Sequence, residues 1–134
     1  VTAPAVLPHV AALQTAIEAI PLPVYLGGAP AVQVLPATYV VLYPDPGIAS
    51  AASLADDRTY LDTVVQVTCV ATTPDGALGT ADRVRAVLAA PLTVGGRQSW
   101  RPEEFGGPPL QRDDDQTPPL YYLPVQYRLR STPA

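Results

Sequence analysis

Thr59-Tyr60-Leu61-Asp62-Thr63-Val64-Val65-Gln66-Val67-Thr68-Cys69-Val70-Ala71-Thr72, followed at once by Thr73-Pro74-Asp75, is the stretch that decides the fold. Successive side chains of a strand point to opposite faces. Leu61, Val65, Val67, Cys69 and Ala71 therefore share one face, and Tyr60, Asp62, Gln66, Thr68 and Thr72 the other. An apolar face backed by a polar one is the pattern of a sheet packed on one side. Residues 59–72 at ~3.3 Å each extend roughly 45 Å, beyond the usual strand length, so this strand is expected to reach past its own core. The period then changes. Thr73 is a helix-capping residue, Pro74 suits the first helical position, and Asp75 complements the positive end of the helix dipole. Leu78, Ala81, Val84, Val87 and Leu88 make an apolar stripe beside Asp82, Arg83 and Arg85, and Pro91 ends the helix.

Towards the N-terminus, Thr38 to Tyr43 reads Thr-Tyr-Val-Val-Leu-Tyr, a buried strand closed by the turn chemistry of Pro44-Asp45-Pro46-Gly47. Further back, Val6, Val10, Leu13, Ile17 and Ile20 recur at spacings of three and four, which predicts a helix stopped by Pro21. Val24 to Leu26 is a short apolar piece before the turn pair Gly27-Gly28. Ile48 to Asp57 shows no period and reads as a long loop. Towards the C-terminus, Leu92 to Val94 and Arg97 to Arg101 read as a hairpin or edge strands around Gly95-Gly96. Leu120 to Leu129 alternates apolar Tyr121, Leu123, Val125, Tyr127 and Leu129 against Tyr122, Pro124, Gln126 and Arg128, with Arg130 next in that register. Pro124 argues for an edge position or a bulge. The expected architecture is a single α+β domain over residues 1–134, two helices packed on an antiparallel or mixed sheet with long extended strands.

Composition narrows the function. The chain has 134 residues, 48% hydrophobic and 15% charged, as a globular chain does. No apolar run approaches the 18 or more residues of a membrane-spanning helix, and no basic residue precedes Arg58 to open a secretory leader. One cysteine, Cys69, makes no internal disulfide, and one histidine, His9, joins it in no multi-ligand zinc cluster. The net charge is −4 and all eight basic residues are arginine, which disfavours tight wrapping of nucleic acid.

Chemistry-bearing motifs are scarce. There is no nucleophile elbow, P-loop or dinucleotide fingerprint; the glycine pairs sit in turns. His9, in the first turn of a helix, is expected to be a surface or half-buried side chain, and Cys69 a small hydrophobe. Neither catalysis nor a cofactor is expected. Asp113-Asp114-Asp115, between Arg112 and Gln116, is the most conspicuous charged run. It reads first as a solvated acidic loop, then as a subunit-contact loop, and least as a cation site, since the alternating ligands of a calcium loop do not follow. Arg58, Tyr60, Asp62, Gln66 and Thr68, with Arg128 and Arg130, put interface-type residues on extended faces. An ordinary solvated sheet face competes with that reading.

Taken in order, the short N-terminal helix, Tyr39-Val40-Val41-Leu42-Tyr43, the strand from Asp62 to Thr72, Ala81-Asp82-Arg83-Val84-Arg85-Ala86, Arg112-Asp113-Asp114-Asp115 and Pro118-Pro119-Leu120-Tyr121-Tyr122 with Gln126-Tyr127-Arg128-Leu129 resemble the tail terminator proteins of long-tailed bacteriophages, especially those of actinobacterial hosts. The resemblance spans nearly the whole chain. It implies a virion protein, assembled in the host cytoplasm, that forms a homohexameric ring on the head-proximal end of the tail tube. The ring stops polymerisation of the tail tube protein and docks the neck or head-closure connector. DNA passes through its lumen, and no membrane is involved. A closed ring needs two different complementary patches on each subunit. Charge alone pairs Arg58, Arg83 and Arg85 with Asp113 to Asp115 of a neighbour. The competing assignments are a head-to-tail connector in the same virion and a small intracellular binding or enzymatic domain with an apolar pocket.

Overall fold

The computed structural model describes residues 3–31, 35–51 and 58–134. Its elements run α1 (Val6–Glu18), β1 (Val24–Leu26), β2 (Thr38–Pro44), β3 (Ile48–Ser50), β4 (Tyr60–Ala71), α2 (Pro74–Val87), β5 (Arg97–Ser99), β6 (Glu103–Glu104), β7 (Gln111–Asp113) and β8 (Leu120–Pro133). The fold is α+β, two helices on one mixed eight-stranded sheet ordered β1-β2-β4-β8-β5.

The sheet is organised by its two long strands. β4 and β8 pair antiparallel from Leu61↔Ser131 to Ala71↔Tyr121. β2 lies antiparallel to the second half of β4, and β3 to its start. Pro44 to Gly47 does not turn the chain back, as its composition suggested. Instead the strand is interrupted and resumes as β3, so residues 48–50 of the expected loop are strand; residues 52–57 of that expectation lie outside the described residues. Asp45 holds the interruption: its Oδ1 accepts from Gly47 N at 2.9 Å, Val64 N at 3.1 Å and Thr63 Oγ1 at 2.5 Å. Gly47, at φ +72, occupies the left-handed region that a side chain would strain.

The outer flank of β8 is covered in three short pieces, β7 at its start, β6 in the middle and β5 at its end. The Gly95-Gly96 region accordingly forms no hairpin between Leu92–Val94 and the residues after it; Arg97–Ser99 pairs with Ser131–Pro133 instead. The long strands do not project past the core as their length implied, because Leu61 and Ala71, near the two ends of β4, are both buried. Pro124 is tolerated inside β8 because of direction. Gln126 N donates to Gly106 O at 2.8 Å, and strand amides two apart point the same way. Pro124 N thus faces the gap between β6 and β7, where no donor is required.

The alternation read along β4 holds. Leu61, Val65, Val67, Cys69 and Ala71 are all buried, and Val65, Val67 and Cys69 join the main core. That core is completed by Val40 and Leu42 of β2, Val125, Tyr127 and Leu129 of β8, and the helices. From α1 come Val10, Leu13 and Ile17, and from α2 Ala81 and Val84. Thr73 caps α2 by accepting from Gly76 N at 3.0 Å. Leu78, expected in the apolar stripe, is instead 47% exposed, because α2 buries Ala77, Thr80, Ala81 and Val84. Small residues at the contact bring that helix close to the sheet.

Both helices lie on one side. The other face of the sheet is open apart from a small cluster at one end, where Tyr39, Val41 and Val70 pack with Tyr25, Leu35, Leu120 and Tyr122.

Candidate functional site

The residues that β4 and β8 turn away from the helices meet on the open face because antiparallel register partners share a face. Asp62 lies opposite Arg130, and Val64 opposite Arg128. Arg128 reaches diagonally to Asp62 in a forked contact, Nε to Oδ1 at 2.9 Å and to Oδ2 at 3.0 Å, with Nη2 to Oδ2 at 2.5 Å. A planar guanidinium matches a carboxylate in this way, and both side chains are held in one geometry. The contact pushes the Arg128 guanidinium above its ordinary value. Arg130 Nη2 donates to Glu103 Oε2 at 3.2 Å, and its guanidinium lies 5.6 Å from the centre of the Trp100 ring. Tyr60 meets the same ring edge-on, with centroids 5.9 Å apart. Of the residues expected at an interface, Tyr60, Asp62, Arg128 and Arg130 are therefore brought into one patch.

The others are placed elsewhere. Arg85, on α2, donates to Glu104 from Nε and Nη2, both at 2.8 Å, and to Asp82 at 3.1 Å. This forked contact raises the Arg85 guanidinium and lowers the Glu104 carboxyl. Arg83 donates to the carbonyl of Ile20, tying α2 to the chain that follows α1. Arg112 pairs with Asp114, and Asp113 Oδ1 accepts from Asp115 N at 3.0 Å, so the acidic run closes on itself at the β7–β8 hairpin. Arg58 is exposed ahead of β4, at φ 63. Arg85 and Arg83 thus each have a partner within their own chain.

Sequence reasoning missed Glu103, Glu104 and Trp100. The two glutamates belong to a two-residue strand with no period to detect, although the single tryptophan between Ser99 and Arg101 was a visible anchor type. It also misplaced His9, which is 2% exposed rather than half-buried. His9 Nδ1 donates to Ala5 O at 2.7 Å, and Nε2 accepts from Ser131 Oγ at 2.6 Å. Arg97 Nε donates to that same hydroxyl at 3.1 Å, and Arg97 Nη2 to the carbonyls of Thr59 and Ser131. Burial, with the Arg97 charge adding to it, holds His9 below its ordinary pKa despite the Ala5 carbonyl. Ser131 is fully buried, so the pair ties α1, β5 and β8 together rather than presenting a nucleophile. Cys69 is buried as expected, and its thiol is pushed up to about 12.

Among the described residues, no three of His, Cys, Asp and Glu are grouped to hold a metal ion, and no helix is long and apolar enough to cross a membrane. No protein-family model and no curated protein matches the chain.

Proposed function

We propose that this chain is a structural assembly protein of a long-tailed bacteriophage, the tail terminator. Six copies form a ring on the head-proximal end of the tail tube. The ring halts polymerisation of the tube protein and presents a docking surface to the neck or head-closure connector, while DNA passes through its lumen. No bond is made or broken in this role, and no cofactor enters it.

The observation that carries the reading is the open sheet face. Tyr60, Trp100, Arg128 and Arg130 are the residue types that dominate protein contacts, and here each is immobilised by its own chain. Side chains already fixed lose little further freedom when a partner arrives, so more of the contact energy is left for binding. The order of sequence elements that resembles terminators supports the same conclusion. So does the net charge of −4 per copy, which discourages phosphate from adhering to a conduit. A head-to-tail ring requires a second, different patch. The β7–β8 hairpin with Asp113 to Asp115 is assigned to it; of the expected arginines, Arg58 and Arg83 make no ion pair among the described residues, and Arg83 bonds the Ile20 carbonyl.

Native mass measurement and negative-stain imaging, with and without purified tail tubes, test this. The expected result is a six-fold ring of 14.1 kDa subunits and tubes capped at one end. A protein that leaves both tube ends free to grow overturns it.

A further inference from the structure

The charged centre of the open face is bordered by large apolar side chains that are exposed among the described residues. Ile48 is 69% exposed, Phe105 51% and Trp100 47%. Ile48 lies opposite Asp62 in the β3–β4 register and therefore on the open face. Phe105 follows Glu103 by two residues, and its amide donates to Gln126 O at 3.1 Å, which extends the β6 pairing and turns its ring to the same side. Ile48 and Phe105 flank Asp62 and Arg128 in one concavity that Glu103 borders. Arg130, bonded to Glu103 and lying over the Trp100 ring, joins Trp100 to that concavity, while the neighbouring hollow that both also line opens past the flank of β8 towards Arg85, Leu88 and Ala89 on the helical side. Half of each aromatic side chain and two-thirds of the isoleucine amount to roughly 300–400 Å² of apolar area. That matches the largest patch of a typical monomer and about half of the 800 Å² that each partner contributes to a stable interface.

The charges on this patch decide what it meets. Arg128 is neutralised by Asp62 and Arg130 by Glu103, so two guanidiniums and two carboxylates sum to zero. Asp45, at the margin, has its Oδ1 committed to Gly47, Val64 and Thr63 of its own chain. A partner recruited by charge needs unpaired groups of one sign on display, and this patch has none at its centre. Copies of a chain with net charge −4 repel one another weakly as whole bodies, and a patch whose own charges are cancelled adds no like-charge repulsion when copies meet on it. The patch has an apolar border, a neutral centre and rigid side chains, which is the composition such a contact needs.

We infer that the open-face patch anchored by Phe105, Ile48 and Trp100 is the surface through which one copy of this chain binds the next. That copies assemble belongs to the ring reading above and this inference rests on it; what is added is the surface and its anchors.

The test compares the wild type with Phe105→Asp, Ile48→Asp and the control Leu78→Asp, which alters an equally exposed leucine on the helical side. Sedimentation across a concentration series gives the assembly state, and circular dichroism checks that each variant is folded. Either patch variant is expected to weaken self-association by about 30-fold or more, as loss of an interface anchor does, with Leu78→Asp matching the wild type. Ile48 and Phe105 sit on separate strands, so a folding defect in one leaves the other informative. Rings that survive both patch variants overturn the inference and leave the ring reading standing. A wild-type dimer lost in both variants supports the surface and overturns the ring. A monomer that still caps tubes, and loses capping with Phe105→Asp, overturns the inference by assigning the patch to the tube protein.

Discussion

Gly107→Ala is expected to unseat the strap that carries Glu103, Glu104 and Phe105. A Cβ at residue 107 would stand 2.2 Å from the backbone oxygen of Pro124 and 3.1 Å from its carbonyl carbon. Carbon and carbonyl oxygen ordinarily approach no closer than about 3.3 Å, so the strap must retreat by roughly 1 Å. Nothing on the other side of the contact is a flexible side chain that could yield, since Pro124 is inside β8. The strap is fastened there by Phe105 N to Gln126 O at 3.1 Å and Gln126 N to Gly106 O at 2.8 Å. Lengthening each by about 1 Å takes both out of hydrogen-bonding range. Two such bonds and the residual overlap cost about 2–3 kcal/mol. For a domain of this size that is a fall in Tm of roughly 6–15 °C. Calorimetry measures the fall, and amide exchange locates it. The Phe105 and Gln126 amides should lose protection while those of β2 keep theirs. The Glu104 carboxyl should also move back towards the ordinary range as Arg85 loses its partner. A variant with wild-type Tm and a protected Phe105 amide would refute the reasoning, because the chain would have absorbed the overlap elsewhere.

Gly79→Ala should act with the opposite sign: it lies inside α2, a Cβ there meets nothing within 4 Å, and removing the backbone freedom of glycine is expected to stabilise by about 0.5–1 kcal/mol, read as a higher denaturant midpoint. His9 makes stability depend on pH. Its folded pKa lies below the unfolded 6.5, so the unfolded chain takes up the proton first; stability is complete above pH 6.5 and is lost as pH falls through the folded value. Denaturant midpoints measured from about pH 7.5 to 5.5 should decline for the wild type and stay nearer level for His9→Gln, whereas a rise on acidification would contradict the buried neutral imidazole. Cys69, with its thiol pushed up to about 12, should resist alkylation at pH ~8 in the native protein and react fully in denaturant; fast native labelling would contradict its placement in the core.

What could be read along the chain were the elements long enough to show a period. α1, β4, α2 and β8 bury mainly one face, so their apolar residues recur every two or every three to four positions, while β2, buried on both faces, shows as an unbroken apolar run. The polar side of the long strands was legible for the same reason, and it placed Tyr60, Asp62, Arg128 and Arg130 on one candidate surface before any contact was known. Most of the short strands were not legible. β3, β6 and β7 have two or three residues each, too few for a period, and exist only by pairing with β4 or β8; β5 alone among the short flanking strands lay within an edge strand read from the sequence, at Arg97 to Arg101. Leu78 and His9 show the limit within a helix. A stripe three or four residues wide does not say which of its margins the sheet will meet.

The alternation of β4, the cap at Thr73 and the stripe of α1 are local properties, set by backbone geometry over a few residues, and the sequence alone determined them. Which charges pair was decided only by the tertiary structure. Arg128 finds Asp62 across 66 positions, His9 finds Ser131 across 122, and Arg85 finds Glu104 across 19. Coulomb attraction and hydrogen bonding act over a few ångströms of space. Only the folded sheet says which groups, far apart along the chain, stand that close together.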